Sequence, residues 1–139
     1  MIDKFRNKYF FLSNFSPCKI IYNGRRYTSV EHAFQAAKCV NEEEQELFLF
    51  VDTPSDAKQW GKQVKLRPDW ESVKVSIMKE LLRQKFGNPK YNSMLKETIG
   101  EEIVEGNTHG DTFWGVCKGK GNNMLGKLIM EIREEMFGK

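Results

Sequence analysis

Cysteine is scarce in this 139-residue chain: Cys18, Cys39 and Cys117 are an odd number at no metal-ligand spacing. That argues against a disulfide framework and for a reducing cytosol. Histidine is scarcer still, and His32 and His109 are too few, with these cysteines, to make a metal site. No apolar run approaches the roughly 18 residues of a membrane span. The first stretch, "MIDKFRNKYFFLSNF", scatters charges where a signal peptide would keep a clean apolar segment. Internal repeats, low-complexity tracts and linkers are also missing. The net charge of +3 is too small to diagnose a partner, and no basic tail or stripe is present. A small phosphate-bearing ligand is compatible with that balance. These absences predict a soluble cytoplasmic protein, a single domain over 1–139, with no membrane partner; its oligomeric state is left open.

What is present reads as a helix-rich α+β domain with a few short strands. "KIIYNGRRYT" predicts a β-hairpin, because Asn23-Gly24 is the pair favoured by a type I′ turn. Helices are expected over "YTSVEHAFQAAK", "NEEEQELFLFVD" and "TPSDAKQWGKQV"; in the last, Thr53 is the N-cap and Pro54 the first helical residue. "DWESVKVSIMKELLRQKFGN" predicts a long helix with Gly87 placed to stop it, although the alternation in "VKVSIM" also fits a strand. Its apolar residues form two stripes, as in a helix sandwiched in a core. "NPKYNSMLKETIG" predicts a short helix ending at Gly100, and "EEIVEGN" a short strand. "NNMLGKLIMEIREEMF" aligns Leu125, Leu128, Ile129, Ile132 and Met136 on one helical face.

Two stretches carry candidate chemistry. On the helix from "YTSVEHAFQAAK", Glu31, Gln35 and Lys38 share a narrow arc, opposite Val30, Ala33, Phe34, Ala37 and Val40. Thr28-x-x-Glu31 matches a capping box, in which Glu31 reaches back to a free backbone N–H. The polar arc is then either a cap with a solvated face or the wall of a site. The second stretch is "EGNTHGDTFWGVCKGKGNNMLG". Six glycines interrupt it, yet Phe113, Trp114 and Val116 are strongly apolar. Such a loop either brings backbone and an aromatic plate to a ligand or is a surface loop with an anchoring tryptophan. Asn122 and Asn123 are good N-caps for the last helix, whose positive end would attract phosphate. Asp111 is a second carboxylate candidate, although loop aspartates are commonly turn formers. Trp70 starts the long helix after Pro68-Asp69, as core anchor or stacking plate. "GKGNN" lacks the spacing of a Walker A loop.

Four blocks in order, "FFLSNF", "YTSVEHAFQAAK", "RPDWESVKVSIMKELLRQKF" and "GDTFWGVCKGKGNNMLGKLIMEIR", resemble the NADAR (YbiA-like) family over nearly the whole chain. The resemblance implies a helix-rich α+β domain that hydrolyses N-glycosidic bonds. The substrates it implies are ribosylamino-pyrimidine phosphates of riboflavin biosynthesis, with release of ribose 5-phosphate, or ADP-ribose on guanine. By the same resemblance, Glu31, Trp70 and Asp111 fall on family positions.

Such bonds join ribose to an exocyclic amine and break through an oxocarbenium-like state or by ring opening to an imine. One carboxylate near C1 would stabilise positive charge or activate water, and a second would protonate or orient the leaving group. Glu31 and Asp111 are expected in these roles, in an order left unassigned. Lys38 would bind phosphate or, with a lowered pKa, attack the opened sugar as a Schiff-base nucleophile. The expected substrate-binding set is Trp70, Trp114, Asn14, Gln35, Phe34 and Gly115. No metal or redox cofactor is required. The expected partner is a small ribosylamine phosphate. The alternatives are an ADP-ribosyl-guanine hydrolase, which would bring nucleic acid as a partner, and a non-catalytic nucleotide- or ADP-ribose-binding module.

Overall fold

The computed structural model describes residues 1–138; Lys139, the final residue of the expected domain, lies outside them. About half of these residues are helical, and the strands are short, making an α+β fold. By internal packing the chain divides into two units, Asn14–Lys85 and Met1–Ser13 together with the chain from Phe86 onward.

The Asn14–Lys85 unit opens on a hairpin of β1 (Ile20–Tyr22) and β2 (Arg25–Tyr27), paired antiparallel with Tyr22 opposite Arg25. Asn23 and Gly24 both take positive φ, 52° and 79°, as a type I′ turn requires. Tyr27 is buried and its hydroxyl donates to the Gln45 carbonyl at 2.8 Å. Ile21 turns its backbone outward, and the Gln84 side chain meets it twice: the Ile21 N–H donates to Oε1 at 2.8 Å and Nε2 donates to the Ile21 carbonyl at 2.7 Å.

Helix α1 follows over Val30–Ala37. Its cap differs from the expected capping box. Ser29, not Thr28, is the N-cap, and its Oγ accepts the His32 N–H at 3.0 Å. The same hydroxyl lies 2.7 Å from His32 Nδ1, while His32 Nε2 donates to the Val51 carbonyl at 2.8 Å. The Glu31 N–H is taken by the Asn14 carbonyl. Helix α2 (Glu42–Leu47) runs into a 3-10 turn at Phe48–Phe50, and α3 spans Pro54–Gly61 with Thr53 as N-cap and Pro54 leading, as anticipated.

Helix α4 covers Trp70–Gly87, which settles "VKVSIM" as helical. Its stripes are unequal. Met78, Leu81, Leu82 and Phe86 are buried, whereas Val73, Val75 and Ile77 are only half-buried. The helix ends at Gly87 as expected, though Gly87 does not take the left-handed conformation of many helix-closing glycines. The chain breaks at Asn88-Pro89, where Asn88 caps α5 (Pro89–Lys96) and Pro89 has no N–H to continue α4.

In the other unit, α5 ends at Lys96 and a turn carries the chain through Gly100 at φ 94°. The expected strand shrinks to a bridge, Ile2 with Ile103, and to β3 (Gly106–Asn107), which pairs parallel with β4 (Val116–Cys117). Helix α6 (Met124–Phe137) buries Leu125, Leu128, Ile129 and Ile132 as its pattern requires; Met136 is half-buried. Each such side chain contributes about 1.5–3 kcal/mol of burial. No described helix is long and apolar enough to cross a membrane.

Lys85, the last residue of its unit, is completely buried. Burial pushes its ammonium pKa down to about 7, partly opposed by the Cys18 thiol. The folded state therefore favours the neutral amine, and between pH 7 and the ordinary 10.5 the unfolded chain binds the extra proton. Stability must rise with pH across that window and be lost as pH falls through it. Urea midpoints measured from about pH 7 to about pH 9 should climb more steeply in wild type than in Lys85→Met.

Candidate active site

The sequence of α1 would allow one solvated face, but all eight of its residues are buried. Glu31 is 7% exposed and Gln35 5%. Gln35 Nε2 donates to Glu31 Oε2 at 2.7 Å, one helical turn along. Lys38, the C-cap, is half-buried one further turn on. Its pKa is lowered, chiefly by burial; the Glu31 carboxylate opposes that shift, and Lys58 of α3 and its C-cap Lys62 add to it. None of these three lysines has an acidic partner at salt-bridge distance among the described residues. The polar arc is therefore an occluded carboxylate beside an unneutralised cluster of amines.

The other expected residues of this unit surround α1. Phe34 and Trp70 pack with ring centroids 5.0 Å apart and planes tilted by 52°. Trp70 is 5% exposed, so it is a core plate behind Phe34, not an open stacking surface. Asn14 is buried; its Nδ2 makes only a long contact of 3.6 Å with Met78 Sδ, and its Oδ1 has no hydrogen-bond partner. Gln35 Oε1 is the other orphaned buried oxygen. Buried amide oxygens are nearly always satisfied, so both mark a place where structure yields to another requirement.

Asp111, Trp114 and Gly115 form a second cluster, within the other unit. Asp111 Oδ1 accepts the Phe113 and Trp114 N–H groups at 3.1 and 2.9 Å, a turn closed by a carboxylate. Asn107 holds Asp111 from the far side, accepting its N–H and donating to its carbonyl. Asp111 Oδ2 has no hydrogen-bond partner among the described residues. Trp114 is half-buried and packs edge-on against Phe113, with centroids 4.9 Å apart. Gly115 has a packing reason: a Cβ there would lie 2.4 Å from the Glu105 carbonyl oxygen. The phosphate site expected at the start of α6 does not form. The N–H groups of Asn122, Asn123, Met124 and Leu125 donate to carbonyls of residues 112–115. Asn123 takes a left-handed conformation without capping; its side chain instead accepts from Glu105 N–H and donates to the Ile103 carbonyl.

A hollow of about 550 Å³ lies elsewhere in the Asn14–Lys85 unit, lined by Tyr22, Cys39, Arg67 and Asp69 among others. Arg67 and Asp69 neutralise each other there at 2.6 Å, and burial raises the Cys39 thiol pKa to about 11. The hollow holds no buried carboxylate of the kind found on α1.

A model described as the NADAR domain matches residues 2–137. The chain belongs to this family. N-glycosidase YbiA of Escherichia coli (strain K12) is 38% identical over 128 residues, covering 89% of this chain and 79% of that protein. The NMR structure of E. coli YbiA superposes with a TM-score of 0.85 at 35% identity, over 98% of this chain and 84% of that one. The riboflavin biosynthesis protein VVA0006 of Vibrio vulnificus (strain YJ016) is 33% identical over 131 residues, 91% of this chain but 35% of that longer protein. The NADAR chain is thus a hydrolase of N-glycosyl bonds by its curated relatives.

Sequence reasoning missed three residues around the NADAR carboxylate: Lys58, Lys62 and Gly61. Lys58 lies in α3 and Lys62, four residues on, is its C-cap, and a glycine closes that helix at "QWGK", a pattern that signals close approach. Asp111→Asn keeps an acceptor for the two N–H groups and should leave stability unchanged. Asp111→Ala orphans both and should lower stability by about 1–3 kcal/mol in urea unfolding.

Proposed function

We propose that this chain hydrolyses the N-glycosidic bond of ribosylamino-pyrimidine phosphates, releasing ribose 5-phosphate and the free amine. The reading is carried by Glu31, a carboxylate held almost out of water by a neighbouring amide, with an amine of lowered pKa in its field. A carboxylate so placed is a strong electrostatic partner for positive charge developing at C1, because little water screens it. In the direct route the C1–N bond breaks as a general acid protonates the departing nitrogen, and water adds at C1 with Glu31 taking its proton.

In the imine route the ring opens and the Lys38 Nζ attacks C1. The aminopyrimidine departs and water then hydrolyses the Schiff base to return Lys38 and the sugar. Burial favours the neutral amine that this step needs. Lys58 and Lys62 supply positive field beside Lys38 for the phosphate. By family resemblance Asp111 is the second carboxylate, and the assignment of it to the leaving group, through Oδ2, is part of this proposal. Trp114 is proposed to meet the heterocycle, and Asn14 Oδ1 to accept from a sugar hydroxyl. The same three lysines suit a diphosphate, which favours ADP-ribosylated guanine as the second reading.

Incubating the protein with ribosylaminouracil phosphate and with ADP-ribosylated guanosine, and following products by mass spectrometry, decides between the two. Glu31→Gln still accepts from Gln35 and should keep the melting temperature near wild type while turnover falls by about 10²–10⁴-fold. Undiminished turnover in that variant would remove Glu31 from the chemistry. Borohydride added during turnover should leave a covalent sugar adduct on Lys38; an unmodified lysine under turnover conditions favours the direct route.

A further inference from the structure

Helix α3 meets α1 at a glycine. A Cβ built on Gly61 would stand 1.8 Å from Gln35 Oε1 and 2.6 Å from its Cδ. Gly61 is the last residue of α3, and its φ is not in the left-handed region. Backbone geometry therefore gives no reason for glycine, and alanine at a compatible helical position ordinarily stabilises. The reason lies in the side chain that occupies the space.

Gln35 is buried under unusual terms. Its Nε2 donates to Glu31 Oε2, while its Oε1 is sealed from solvent without a hydrogen-bond partner. A carboxylate only accepts, so the amide must turn its nitrogen toward Glu31 and its oxygen toward Gly61. Reversal would set two oxygens against each other. The notch at Gly61 thus accommodates the unsatisfied oxygen and leaves the amide in the one orientation that serves Glu31.

We propose that Gly61 is a positioning residue for the reaction: by leaving room for the Gln35 amide, it holds the Glu31 carboxylate oriented and ionised. The proposal rests on the catalytic reading of Glu31. Neither Gly61 nor Gln35 needs to touch the reacting atoms. The donated N–H favours the charged carboxylate, and displacement of the amide removes that preference.

The test compares wild type, Gly61→Ala, Gln35→Ala and the double variant. The new methyl displaces only the end of a flexible side chain, so Gly61→Ala should fold, with a melting temperature lowered no further than in Gln35→Ala. Its kcat on ribosylaminouracil phosphate should fall by about 10- to 100-fold, with KM little changed and the acid limb of the pH profile moved to higher pH. In the Gln35→Ala background the methyl meets open space, and Gly61→Ala should have no further effect. Independently of turnover, the Gln35 side-chain NH₂ protons in ¹⁵N spectra should exchange slowly in wild type and rapidly in Gly61→Ala. An undisturbed Gln35 amide in Gly61→Ala would overturn the proposal, as would an equal loss of kcat from Gly61→Ala in both backgrounds. Wild-type protein inert toward the substrate would count against the function assigned to Glu31, while amide exchange still decides whether Gly61 sets Gln35.

Discussion

Taking a carboxylate out of water costs several kcal/mol unless donors or cations replace the lost hydration. Glu31 sits inside that constraint, and the Asn14–Lys85 unit is arranged around it. Ser29 takes the N-cap with its own hydroxyl. His32 is pinned between Ser29 and Val51, fixing the roll of α1 about its own axis. Asn14 closes the remaining N–H from the loop side. Within that frame the carboxylate accepts from Gln35 Nε2 one turn along.

The Asp111 loop solves a different problem. Six glycines lower its ability to hold a shape, and its form comes from side-chain carbonyls and carboxylates that imitate backbone. Asn107 and Asp111 brace one another, Asp111 closes the turn onto Phe113 and Trp114, and Asn123 ties the strand segment to α6. One carboxylate oxygen shapes the loop and the other stays available.

Most of the fold was legible because local signals are self-sufficient. Asn23-Gly24 needs no partner to demand its turn, and Thr53-Pro54 carries its own start signal. The apolar periodicity of α6 names its buried face. The site was legible only in part. Glu31, Gln35 and Lys38 could be placed on one arc by helical geometry, but whether that arc met water depends on α3, whose approach is hinted at in the sequence by Gly61 alone. Thr28 and Ser29 are both competent caps, and His32 decided between them through long-range bonds. Asn123 looked like a cap because its type suits one, and tertiary bonds to Ile103 and Glu105 claimed it instead. The strand expected near Ile103 is reduced to a bridge with Ile2, a pairing about a hundred positions away in sequence.

The clasp of Gln84 on Ile21 has a consequence beyond local order. A short strand with an outward-facing backbone invites another chain to add to it, and such growth is the usual route from soluble sheet to fibre. Here an amide on a neighbouring helix offers the same donor and acceptor that an invading strand would bring. The helix serves as a permanent dummy partner, and the edge is already taken before any stranger arrives.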